Sequence, residues 1–165
     1  MSLVTRVKVG IEADYKNVVD FVTSEADVVL NKIFDLANGS GADKANKVYF
    51  KTRILGSGAS ESLDLAGSLA DAFGATLTFT KVRVLAIIAD VGNTTDVAVG
   101  GAASNAWVGM FGDATDKVLV KPGSMFLWIA RDAGGGAVVA STGDLLKVAD
   151  AGAAGVTYTI IVIGE

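Results

Sequence analysis

The stretch TLTFTKVRVLAIIAD, residues 76–90, decides how this chain folds. On an extended backbone Leu77, Phe79, Lys81 and Arg83 fall on one side and Thr78, Thr80, Val82 and Val84 on the other. Threonine, aromatic and β-branched side chains suit a pleated surface, so the segment reads as a strand. It is longer than an ordinary strand, which predicts a bend or bulge near Val84.

The same pattern extends in both directions. Residues 48–55 are β-rich, Gly56-Ser57-Gly58 makes a turn, and residues 60–65 place Leu63 and Leu65 opposite Ser62 and Asp64. The run AGSLADAFGA turns the chain, with one helical turn expected over 68–73. Downstream, strands are expected over 96–99, 106–111, 117–120, 124–130, 137–141, 145–148 and 156–163. Short strands at regular spacing with turn residues between them predict an all-β fold, a β-sandwich or jelly roll.

Upstream, Thr5, Val7, Val9 and Ile11 alternate with Arg6, Lys8 and Gly10, as in a half-buried strand. Residues 23–37 fit two readings. Ala26, Val29, Leu30, Ile33 and Ala37 would share a helical face behind a Ser24 cap, while Val28 to Leu30 and Lys32 to Leu36 would serve as strands. NGSGADKANK, residues 38–47, is polar and Gly-bearing and reads as a linker loop. The expected organisation is an N-terminal arm or accessory strands over 1–37, the linker over 38–47 and a β-sandwich domain over 48–165.

Composition narrows the function. A chain of 165 residues, 51% hydrophobic, has the material for one domain with a full core. No apolar run is long enough for a membrane helix, and the start MSLVTRVKVG lacks the marks of a signal peptide, so no membrane partner and no secretory route are expected. With no Cys and no His, the commonest metal ligands and the commonest general base near neutral pH are missing. A net charge of −4 without a Lys/Arg stripe argues against nucleic acid. Twenty Gly against one Pro suit short strands joined by tight turns.

Individual motifs point the same way. Asp90, Asp96, Asp113 and Asp116 read as turn caps rather than Ca²⁺ ligands, since EF-hand spacing is missing. The acid pairs Glu61/Asp64 and Asp132/Asp144 have nothing that sets a glycosidase separation. Gly39-Ser40-Gly41 and Gly56-Ser57-Gly58 complete no phosphate-loop motif. No S-x-x-K dyad replaces the absent His. The expectation is a protein that is not an enzyme and holds no cofactor and no metal. Residues 100–128 gather Trp107, Phe111, Phe126 and Trp128 around two turns, Asp113–Asp116 and Lys121-Pro122-Gly123. These aromatics read first as core. An exposed patch built on Trp107, Phe111 and Trp128, together with Arg6 and Lys8 of the arm, is the candidate partner-binding set.

Four blocks carry a resemblance: FDLANGSGADKANKVYFKTRIL, LDLAGSLADAFGATLTFTKVR (63–83), VGGAASNAWVGMFGDATDKVLVKPGSMFLW (99–128) and STGDLLKVADAG with VTYTIIVIG ending at 164. Over residues 33–164 the chain resembles small virion structural proteins of tailed bacteriophages. That resemblance implies a capsid decoration or cement protein, made in the host cytoplasm and located on the capsid surface. Its implied partners are the major capsid protein and further copies of itself, as a trimer. The alternatives are a tail, neck or fibre component, or a carbohydrate-binding module that meets host glycans through Trp107 or Trp128.

Overall fold

A computed structural model describes residues 2–165, and every regular element among them is a strand. In chain order these are β1 (Thr5–Val19), β2 (Val22–Asn38), β3 (Lys44–Ala45), β4 (Lys47–Leu55), β5 (Ser60–Asp64), β6 (Leu69–Ala70) and β7 (Thr76–Leu77). There follow β8 (Lys81–Ala89), β9 (Val97–Gly100), β10 (Lys117–Val120), β11 (Met125–Ile129), β12 (Gly136–Ala137), β13 (Leu145–Asp150) and β14 (Val156–Gly164).

Two antiparallel sheets face each other as a β-sandwich. One has the order β10-β9-β13-β5, the other β11-β8-β14-β4, with β12 also on β8. The eight longer strands of the sandwich pair in nested fashion: β4 with β14, β5 with β13, β8 with β11 and β9 with β10. Alternate residues of both sheets meet between them, Leu85 and Ile87 of β8 and Ile160 and Val162 of β14 against Val97, Val99, Leu146 and Val148. Each fully buried Leu, Ile or Val contributes about 2 kcal/mol of hydrophobic stabilisation.

The segment 76–90 is not one strand but two, β7 in a small ladder with β6 and β8 in the sandwich, and β8 is itself bulged. Residues 78–80 leave the ladder, because Phe79 N donates to Leu65 O (2.8 Å) and Thr80 N to Glu165 O (2.6 Å). Farther on, Ile163 pairs with Val84 but Gly164 pairs with Val82, so Arg83 is the extra residue of a bulge, one position from where it was expected. The bulge reverses the alternation. Val82 faces the core and Val84 the opposite side of the sheet, although strict period 2 places them together. Gly164 is required opposite the bulge, since a Cβ there would stand 2.1 Å from Lys81 O.

Four other expectations are corrected. Residues 23–37 form no helix but belong to β2, which pairs with β1 in one ladder from Thr5↔Leu36 to Val19↔Val22. Residues 106–111 form no strand; apart from a bridge at Ala106 they are loop, turned by a Phe111 N to Val108 O bond of 3.1 Å. The helical turn at 68–73 is replaced by β6. In the region 137–141 only Ala137 is in a strand, with a bridge at Val139.

Residues 38–47 are not a free tether. Asp43 N donates to Arg131 O (3.0 Å), and Ala45 is buried with Leu36, Val84 and Ile163 in a second, smaller core on the outer side of the β11-β8-β14-β4 sheet. Arg83, aimed by its bulge, holds this corner. Its guanidinium donates to Gly41 O (2.9 Å), Glu165 Oε1 (3.0 Å) and Asp132 O, while Gly41 N donates to Glu165 Oε2 (2.5 Å).

Candidate interaction surface

The β1–β2 hairpin is amphipathic because its ladder has a strict period of two. Directly paired residues share a face, so Val7 lies beside Phe34, Ile11 beside Leu30, Ala13 beside Val28, Tyr15 beside Ala26 and Val19 beside Val22. The opposite face carries most of the charge. Arg6 pairs with Asp35 (2.6 Å) and Lys16 with Glu25 (3.1 Å). At its base the apolar face is covered by the protein's own sheet, where Leu36 is 1% exposed. From residue 10 to residue 33 every residue is exposed, Tyr15 at 73%.

The sheet beneath the base is apolar on its outer side too. Cross-strand register arranges that side in rows. The row Ile129, Val84, Ile163 and Val48 lies under the hairpin base. The next holds Leu127, Ala86, Ile161 and Phe50, and the one beyond it Met125, Ile88, Thr159 and Thr52. Past the first row the cover thins, leaving Phe50 61% and Ile54 78% exposed, with Met125 and Ile88 exposed beside them. Where the hairpin leaves the sheet, a groove of about 460 Å³ opens between Val9, Leu30, Lys32 and Phe34 on one side and Met125, Leu127 and Ile129 on the other. Exposed apolar area of this continuity marks an interaction surface rather than scattered surface residues.

The residues singled out in the sequence divide between core and hairpin. Trp107 is 2% exposed, edge-on to Trp128 (centroids 6.0 Å apart) and to Phe111 (6.4 Å). All three belong to the inter-sheet core as residues of it or packed against it, not to an exposed patch. Gly136 lets them meet, since a Cβ there would come within 2.6 Å of Trp107 and 2.9 Å of Trp128. Arg6 and Lys8 are exposed on the charged face of the hairpin near its base, with Arg6 engaged by Asp35. Sequence reasoning missed Ile11, Leu30, Phe50, Ile54, Ile88 and Met125 as one surface. The hairpin half had a signal, two alternating runs about Asp20-Phe21, hidden because the turn has no Gly or Asn; Asp20 itself takes the positive φ of 54°. The sheet half had none, because its rows exist only once register is set.

Acidic residues serve as local acceptors. Asp113 accepts from Thr115 N (2.9 Å) and Asp116 from Asp113 N (2.8 Å), which makes that stretch a capped turn. Lys121-Pro122-Gly123 turns as expected, with Gly123 at φ 71° and Ser124 N bonded to Lys121 O (2.9 Å). Asp90 accepts from Gly92 N (2.8 Å) and Asp96 pairs with Lys121 (2.6 Å).

Two clusters are more elaborate. Glu61 accepts from Arg53 Nε (2.8 Å) and the buried Tyr158 hydroxyl (2.8 Å), joining the sheets at one edge. Burial pushes the Glu61 carboxyl up, but the bonds from Arg53 and Tyr158 outweigh it and hold it below the usual carboxylate range. Asp150 accepts from Thr95 Oγ1 (2.5 Å) and the amides of Gly58 (2.9 Å), Gly152 (3.0 Å) and Gly155 (2.9 Å), gathering three loops. Those bonds, Thr95 foremost, hold its carboxyl well below the usual range.

No family model matches the chain, and neither a curated protein sequence nor a solved structure matches it.

Proposed function

We propose that this protein is a bacteriophage virion structural protein, a decoration or cement protein that sits on the outer capsid surface and stabilises the head. The observation that carries the reading is the hairpin: an amphipathic ribbon whose apolar face begins in the protein's own core and continues uncovered for the rest of its length. A two-stranded ribbon is marginal by itself in water, so a chain that invests this many residues in one is built to be completed by another protein surface. The nested pairing of the eight longer strands supports reading the sandwich as a jelly roll, an architecture used by capsid proteins among others. That is an analogy of fold, which raises the expectation without assigning the activity.

The resemblance to small phage virion proteins supports the same assignment, with the major capsid protein as partner. The glycan-binding alternative is disfavoured by the burial of Trp107 and by the use of both Trp rings in edge-to-face contacts within the core.

The test is stoichiometry and binding. Quantitative mass spectrometry of purified particles is expected to find the protein in numbers comparable with the major capsid protein, and the purified chain is expected to bind heads that lack it. Copy numbers fitting one small ring would assign the protein to the tail or neck instead. Failure to bind bare heads would remove the decoration role.

A further inference from the structure

We infer that the free apolar face of the hairpin is covered by the outer face of the β11-β8-β14-β4 sheet of a second copy of this chain, so that copies join head to tail by exchanging hairpins. The inference shares with the proposed function the premise that this surface is covered by protein, and adds what covers it.

The occupant is indicated by a contact the chain already makes with itself. At the hairpin base, Val7 and Leu36 pack on Val84 and Ile163, so the apolar face of this ribbon and the outer face of this sheet are complementary surfaces. Both surfaces continue past the point where they separate. The hairpin carries on with Ile11, Leu30 and Tyr15, and the sheet with Phe50, Ile54 and Met125. Each copy therefore has one unused hairpin face and one unused sheet face, of the same chemistry as the pair it has already joined.

The chain does not cover its own sheet with the rest of the hairpin, since residues 10–33 are all exposed. The ladder is unbroken to Val19↔Val22, and residues 10–19 extend it by roughly 30 Å at about 3.4 Å per residue. The sheet, four strands wide, measures only roughly 15 Å across at about 4.8 Å per strand. The ribbon thus has length to cross a neighbour's sheet after leaving its own. The charged face pairs internally through Arg6–Asp35 and Lys16–Glu25, and remains turned to water when the apolar face docks. One donor and one acceptor per copy make a heterologous contact, which closes into a ring when the rotation permits.

The test uses two variants of the full chain, each altered only at exposed positions. The donor variant, Ile11→Glu with Leu30→Lys, places opposite charges on a directly paired couple and so keeps the hairpin. The acceptor variant is Ile54→Lys with Met125→Lys. Circular dichroism and Tm are expected to match the wild type measured where it is dissociated. By light scattering on a sizing column, the wild type is expected as an oligomer and each variant at the mass of one chain. Mixed, the variants are expected to form a one-to-one dimer, because the donor variant keeps an intact sheet and the acceptor variant an intact hairpin. A wild type that stays a single chain at micromolar concentration, a variant that still assembles, or a mixture that does not combine each overturns the inference. Oligomers that leave bare heads undecorated would remove the decoration role and keep hairpin exchange, whereas single chains that decorate heads would do the reverse.

Discussion

Arg83 brings a full charge into the buried part of β8, whose other charge, Lys81, stands half-exposed at its start, and the bulge makes that possible. Extra backbone at that point turns the side chain toward Glu165, Gly41 and the carbonyls of Asp132 and Ala133 instead of into either core. Arg83→Leu is expected to leave the buried Glu165 carboxylate with Lys81 and Gly41 N alone, to strip Gly41 O and Asp132 O of their donor, and to cost about 3 kcal/mol. At the Tm sensitivity of a chain this size, that is roughly 10 °C. Adding Glu165→Gln should recover part of the loss, and thermal melts of the wild type and the two variants check both statements.

Asp150 gives the pH counterpart. Its folded-state carboxyl titrates below its unfolded value, so its contribution is fully present above the unfolded value of about 4 and disappears as pH falls from there toward the folded one. Asp150→Asn is expected to be less stable than wild type at pH 7. The gap in Tm should narrow as pH drops below about 4. A gap that stays constant through the acid range would show that the four bonds contribute nothing through charge.

At the scale of elements, the hairpin divides into a base that belongs to the domain and an outer part that does not. Nothing between residues 10 and 33 is buried. Removing residues 11–30 and closing Gly10 to Asn31 with Asn-Gly, the dipeptide suited to a two-residue hairpin turn, is expected to leave a folded domain. Its Tm should stay within about 3 °C of the wild-type monomer, a shift equivalent to about 1 kcal/mol. A truncation starting near Asp43 is a different experiment. It strips Leu36 and Val7 from Val84 and Ile163, removes Gly41 from the Arg83 corner, and is expected to aggregate. Melting and sizing of the two deletions side by side separate base from outer part. The base of β1 was legible in the alternation of residues 5–11, but its outer part was not read as strand. The helix reading of 23–37 competed because Ala26, Val29, Leu30 and Ile33 fit a helical period, whereas in β2 Ala26 and Leu30 lie on one face and Val29 and Ile33 on the other, and only cross-strand pairing with β1 decides between them.

For the whole molecule, the sandwich holds the main core, and the role inferred for the hairpin is connection. If copies complete one another, the wild-type Tm rises with protein concentration by mass action, and the shortened-hairpin variant shows no such rise. Calorimetry over a dilution series reads this directly. Hydrogen exchange supplies the local measure: amides of residues 10–33 are expected to exchange quickly in the single chain and slowly in the assembly, while those of β8 and β14 stay protected in both.

Composition, alternation and turn chemistry, which act over a few residues, determined the all-β class, most strand positions and the turns at Asp113–Asp116 and Lys121–Gly123. They also placed the aromatic stretch as core by default, and Trp107 is buried accordingly. Tertiary structure alone decided the faces. Whether Val82 and Val84 look the same way depends on the bulge opposite Ile163 and Gly164, eighty residues along the chain. Whether Phe50, Ile88 and Met125 form one surface depends on the register of three strand pairs. Each depends on which distant backbone groups share a hydrogen bond, and local sequence preferences carry no record of that choice.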